Sequence, residues 1–233
     1  MEILAIGAHP DDVELGAGGF LLSAARSGHG VYIYTLTRGA AGGEPGQRVR
    51  EAQKSAQFMG AKALWLDDLP DSRLEEGLDL ISRIESRIDL VHPDIILTHY
   101  ANDVHHDHRT IARATMEAGR YDSNILAYEI PLTRGFDPKV YFDISDVIDD
   151  KVQLVRMFAS QSEKFYLRAE AIRGLAEFRA LQSRFQVSAK FVETFDASKL
   201  CLGNDFMLRR MPYQKQGAQP VHPAQMVEIP QLL

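Results

Sequence analysis

A single cysteine, Cys201, stands among 233 residues. No internal disulfide framework can form, and the chain is expected in a reducing, cytoplasmic setting. Basic excess is also missing. Lys and Arg number 26 against 32 Asp and Glu, a net charge of −6, so there is no electrostatic footprint for nucleic acid or for an anionic membrane. No apolar run approaches the roughly 18–20 residues that span a bilayer, and membrane insertion is not expected. The start, MEILAIGAHPDD, carries an acid where a secretory leader has basic residues, and its apolar run breaks within a few positions. Internal repeats and low-complexity tracts are absent too. What is present is 45% hydrophobic and 25% charged, a composition that builds a proper core. The length suits one domain over 1–233, with a core of about 1–130 and a C-terminal extension of about 131–233.

The first 130 residues alternate two kinds of segment. Short apolar, β-rich runs occupy 3–8, 31–37, 62–68, 94–100 and 125–130. Helical spacing lies between them: Leu15, Leu21, Leu22 and Ala25 suit one helix face, and Leu74, Leu78, Ile81, Ile84 and Ile88 another. Near-continuous apolar strands separated by helices predict a doubly wound, mostly parallel Rossmann-like α/β sheet with helices on both faces. Beyond residue 130 the pattern changes to a strand–helix extension. A strand over 140–148 ends in a helix cap at Ser145, a helix covers 165–184, and the proline-bearing tail from 211 reads as an arm on the surface or on a neighbouring subunit.

After the first strand comes AIGAHPDDVELGAGG (5–19), in which His9, Asp11, Asp12 and Glu14 crowd together. Gly16, Gly18 and Gly19 invite a dinucleotide reading. That fingerprint, however, places glycines in the turn itself, which here is filled by His9, Asp11 and Asp12, and carboxylates there would repel a phosphate. A solvated polar loop is the plain alternative. A second cluster, HYANDVHHDHRT (99–110), follows the fourth strand and holds His99, His105, His106 and His108, four of the eight histidines. In an open α/β sheet, ligands bind beyond the carboxyl ends of the strands at the switch point. With the first and fourth strands adjacent there, the two clusters converge.

His9, Asp12 and His108 then supply two imidazoles and a carboxylate, the three-ligand arrangement of a catalytic zinc site. The ligand set alone also admits Fe(II) or another divalent metal. Asp11 favours hydrolysis, because a free carboxylate beside metal-activated water is a general base. A cation would also relieve the repulsion between Asp11 and Asp12. If a helix starts near 105, His105 and His108 share a face. Asp107 could orient His105 as acid or oxyanion stabiliser, or simply complement the helix dipole as a first-turn acid. His106 is expected to point away, and His29, His92 and His222 show no partner.

AHPDDVE and HHDHR resemble the two signature motifs of the LmbE-like (PIG-L) zinc-dependent deacetylases, which remove acetyl from N-acetylglucosaminyl groups. TRG (37–39), RVREA (48–52), LPDSRL (69–74), FDISD (142–146) and VETF (192–195) are similar to further family segments in family order. The look is nearest to the branch acting on the glucosaminyl-malate precursor of bacillithiol. The resemblance implies zinc on His9, Asp12 and His108, Asp11 as base, and His105 oriented by Asp107. It further implies a substrate-binding Arg48 in a Gly-rich loop, Asp103 near the sugar, a small amino-sugar substrate, and a homo-oligomer, trimer or hexamer. Ala40 and YANDV (100–104) depart from the family pattern around the substrate. Two rivals remain open: an amidase cleaving larger thiol-sugar conjugates, and a non-catalytic metal- or nucleotide-binding α/β protein.

Overall fold

In the computed structural model, which describes residues 1–121, 124–183, 189–201 and 226–227, the apolar runs become the centre of one sheet. β1 (Glu2–Gly7), β2 (Gly30–Thr35), β3 (Ala63–Leu66), β4 (Ile95–His99) and β5 (Asn124–Tyr128) are all parallel, in the order β3-β2-β1-β4-β5. The continuous hydrophobicity of these strands follows from burial on both faces. One apolar cluster lies beneath α1 (Asp12–Arg26), α2 (Pro45–Met59), α5 (Ile148–Arg156) and α6 (Ala169–Ser183). The other lies beneath α3 (Leu78–Val91) and α4 (His106–Ala118). Strand order reverses between β1 and β4, so the loops after both strands meet at one edge.

The extension joins the same sheet instead of standing apart. β7 (Val192–Leu200) runs antiparallel to β5, and β6 (Val140–Asp143) antiparallel to β7. At the opposite edge, β8 (Met226–Val227) pairs antiparallel with β3. The rest of the expected arm lies outside the described residues. Among the described residues, no helix is long and apolar enough to cross a membrane.

Three local expectations need correction. Leu78 opens α3 but is 80% exposed, whereas Leu80 faces the core. Leu74 reaches the same cluster from the preceding loop, so the true helical face begins at Leu80. Ser145 starts a 3₁₀ turn (Ser145–Val147) and does not cap a helix: its hydroxyl accepts the Lys190 and Phe191 N–H groups and so ties this turn to the start of β7. The helix expected from 165 begins at Ala169, after a separate 3₁₀ turn over Phe165–Leu167.

Candidate active site

The loop between β1 and α1 turns sharply, and Asp11 takes a φ of 110°, a region that non-glycine residues rarely adopt. Such strain persists where neighbours over-determine it. Asp12, the first helical residue, supplies the clamp. Its Oδ2 accepts the Ala8 and His9 N–H groups at 3.1 and 2.8 Å. Asp11 is left facing the other way, toward Arg48 Nη2 at 3.3 Å.

His9, Asp12 and His108 bring one potential ligand atom each within 4.8 Å of one another. Their geometry fits a cation. His108 Nδ1 is held by Asp103 Oδ1 at 3.1 Å, while its Nε2 is buried without a hydrogen-bond partner, 3.4 Å from Asp12 Oδ1. A buried unsatisfied nitrogen beside a carboxylate is costly unless something binds there. Protonation tells the same story. Burial opposes charging His9, yet the Asp12 charge and bonds from Asp107, Asp12 and Asp71 outweigh it and push its pKa up to about 12. His108 likewise overcomes burial through Asp12 and Asp103 and rises to about 9. In the metal-free protein, protons on these rings supply the positive charge that the carboxylates require. A divalent cation would supply the same charge to neutral imidazoles.

Asp11 has a different electrostatic setting. Burial and the Asp12 charge push its pKa up to about 7, with Arg48 opposing them. A carboxyl poised there can take and return a proton near neutral pH.

His105 is the N-cap of α4, and its Nδ1 accepts the Asp107 N–H at 3.2 Å. That bond fixes the proton on Nε2 of the neutral ring. Burial, then the charges on His108 and His9, holds His105 below its ordinary pKa. The ring lies against those of His9 and His108, at 4.9 and 4.5 Å between centroids. Asp107 orients His105 through its backbone and not through its side chain. The carboxylate instead meets His9 Nε2 at 3.2 Å and accepts the Ser72 and Leu74 N–H groups.

Asp103 and Arg48 both border this site and bond within it as well. Both Asp103 oxygens are taken, Oδ1 by His108 Nδ1 and the His105 N–H and Oδ2 by the Thr133 hydroxyl. Asp103 therefore orients His108, as a carboxylate does for a histidine that binds a metal. Arg48 sits in the first turns of α2, not in the Gly-rich loop, and is 2% exposed. It bonds the Pro10 carbonyl and pairs with Asp11. A Cβ on Gly39 or Gly42 would lie 2.5 Å from its guanidinium, so the loop's glycines make room for this side chain.

Some participants carried no assigned role in the sequence reading. His99, at the end of β4, stacks on His108 (3.9 Å, 6°) and places Nε2 3.2 Å from Asp12 Oδ2. Asp71 meets His9 Nε2 at 3.0 Å and accepts the Ala41 N–H. Lys164 and Tyr166 come from the extension. In the sequence His99 stood without a role in the cluster HYANDVHHDHRT, and Asp71 in the segment LPDSRL; nothing local flagged Lys164 or Tyr166. His106 does turn away, to the Leu74 carbonyl, and His29 Nδ1 has a partner after all in the N-terminal amine. His222 lies outside the described residues.

These groups line a cavity of about 430 Å³, in which His9, Asp11, Asp12, His105 and His108 face Ile130, Leu132, Lys164 and Tyr166. Residues 4–119 match the family model described as PIG-L, GlcNAc-PI de-N-acetylase. The uncharacterized deacetylase YaiS of Escherichia coli (strain K12) is 33% identical over 62% of this chain and 82% of its own length. The diacetylchitobiose deacetylase of Thermococcus kodakarensis is 27% identical over 69% of this chain and 70% of its own. Among solved structures, the 4-carboxy-2-hydroxymuconate hydratase GalB of Pseudomonas putida KT2440 shares the fold at a TM-score of 0.75. It is 20% identical over 87% of this chain and 98% of its own. Fold alone thus admits more than one reaction, but sequence likeness runs to deacetylases through the segment that carries both polar clusters. On that likeness, the chain belongs to the PIG-L (LmbE-like) family of deacetylases.

Proposed function

We propose that this protein is a metal-dependent N-deacetylase that hydrolyses the acetamide of an N-acetylglucosamine-type sugar, or a conjugate of one, to acetate and a free amine. One observation carries the reading: a buried carboxyl, Asp11, stands beside the His9–Asp12–His108 cluster with its pKa near 7 and takes no part in that cluster. A pure binding site gains nothing from such a group. A divalent cation, zinc or Fe(II), held by His9, Asp12 and His108 would polarise the acetyl carbonyl and acidify the attacking water.

The chain's own residues do the rest. Asp11 takes a proton from the water as its oxygen bonds to the acetyl carbon. His105 presents Nε2–H to the oxygen that becomes negative. As the carbon–nitrogen bond breaks, Asp11 returns the proton to the departing nitrogen, and the amine leaves neutral. Asp103 holds the ring of His108 in place, and Asp107 and Asp71 hold that of His9. The family match ends at residue 119, whereas Ile130, Leu132, Lys164 and Tyr166 lie beyond it. In this reading the matched segment carries the chemistry and the extension selects the sugar's attachment.

The test is acetate release from N-acetylglucosamine, N,N'-diacetylchitobiose and charged or thiol-bearing N-acetylglucosaminyl conjugates, by protein loaded with zinc or Fe(II). Acetate from at least one is expected. A metal-loaded protein that releases none would refute the reading, and release of a larger acid from a conjugate would favour the amidase instead.

A further inference from the structure

The glycines rejected above as a nucleotide fingerprint have another use. Inside α1, the Leu15 carbonyl and the Gly19 N–H are the two ends of one i to i+4 backbone rung. Both are bonded from outside the helix. Lys151 of α5 donates to the Leu15 carbonyl at 2.8 Å, and Glu193 of β7 accepts the Gly19 and Phe20 N–H groups at 2.7 Å each. Lys151 and Glu193 pair with each other at 2.6 Å, and the two are 5% and 4% exposed. A Cβ on Gly19 would lie 3.0 Å from Glu193 Oε1 and 2.7 Å from Ile144. Glycine there lets the carboxylate reach the helix backbone.

We infer that Lys151 and Glu193 are positioning residues for the active site, setting the first turn of α1 by splicing an ion pair into its backbone ladder. The inference rests on the reading of His9, Asp12 and His108 as metal ligands. Side chains inserted into the ladder bend a helix at that point, and this point is one turn from Asp11 and Asp12. Leu15 is held at both backbone groups: its N–H donates to the Asp11 carbonyl at 3.0 Å, and its carbonyl accepts Lys151. The strained Asp11 is therefore tied through one residue to the extension. Stability does not explain the pair, because a buried ion pair is about matched by apolar groups of similar volume. An apolar pair would, however, release the Leu15 carbonyl and the Gly19 N–H from these side chains and let the first turn relax, and binding sites must be held to about half an ångström.

The experiment compares the full-length wild type with the double variant Lys151→Met/Glu193→Leu, both stripped of metal. Zinc affinity is read by competition with a chelating dye, well below either melting temperature. The double variant should fold with a near-normal Tm yet bind zinc at least about 10-fold more weakly, the usual cost of disturbing ligand support. Its kcat should fall with KM little changed. Glu193→Asp, one methylene shorter with its charge kept, should weaken zinc in the same direction. Wild-type zinc affinity in either folded variant would overturn the inference. Failure of both variants to fold would also overturn it, by making the pair a requirement of the fold and not of the site. A wild type that binds no zinc would sink the metal reading itself, a result the variants cannot mimic.

Discussion

Replacing Asp11 by Asn separates the jobs of two adjacent aspartates. Asn is the substitution of choice because it tolerates positive φ better than most residues, and Asp11 sits at 110°. The ligand set of His9, Asp12 and His108 is untouched, so metal content should stay at about one per chain. Loss of a general base lowers kcat by about 10²–10⁴, or ~3–5 kcal/mol of barrier. KM should move little, because Asp11 acts in the transition state. The acidic limb of the pH–rate profile, which reports deprotonation of Asp11, should flatten.

Stability gives a second, independent reading of the same variant. In the metal-free protein the folded-state pKa of Asp11 is raised from 3.8 to about 7. Between those values the folded state holds a proton that the unfolded state has lost, so wild-type stability falls as pH rises through the window. The Asn variant escapes that loss. Asn also leaves Arg48 without its carboxylate, a cost that opposes the gain near neutrality and above, where the wild-type pair is charged. A tenfold difference in proton affinity between the folded and unfolded states is worth about 1.4 kcal/mol, and about 1 kcal/mol moves the Tm of a chain this size by roughly 2–4 °C. The difference in Tm, variant minus wild type, should therefore climb between about pH 4 and pH 7. Thermal scans of stripped protein, elemental analysis and pH–rate profiles on both proteins check all of this. Near-normal turnover with metal bound, or a Tm difference flat across that window, would refute the assignment.

Arg48→Met removes the positive neighbour that opposes the rise of Asp11, so the acidic limb should move to higher pH; a limb that stays put would mean the ion pair does not tune the base. His108→Ala should abolish tight metal binding. Asp103→Asn, which weakens the grip on His108 Nδ1, should cost about 10–100-fold in metal affinity; full metal content in His108→Ala would sink the ligand set. Gly16→Ala would put a Cβ 2.1 Å from the Tyr128 ring, which packs against His99. Overpacking of this kind costs about 1–3 kcal/mol or more. Chemical denaturation should recover much of the loss in Gly16→Ala/Tyr128→Leu, and no recovery would place the clash elsewhere.

The parallel sheet could be read from the chain because strands buried on both faces must be apolar throughout, and helices between them must repeat near 3.6. The convergence of the two polar clusters was legible for a similar reason. His9 and Asp12 lie within one turn after β1, His105 and His108 within one turn after β4, and the adjacency of β1 and β4 follows from the topology rules for such sheets. What each polar group does was decided only by tertiary contacts. Asp103, read as lying near the sugar, lines the cavity and bonds His108, His105 and Thr133; Asp107, read as the carboxylate behind His105, meets His9 instead. Arg48, read as a substrate contact, lines the cavity and also pairs with Asp11. A side chain's partner across the fold leaves no trace in its own sequence neighbourhood, because long-range hydrogen bonds have no period. That is why Lys164 and Tyr166 at the cavity wall could not be foreseen. It is also why Gly19, in a run that invites a nucleotide reading, proved to be the place where Glu193 reaches the backbone of α1.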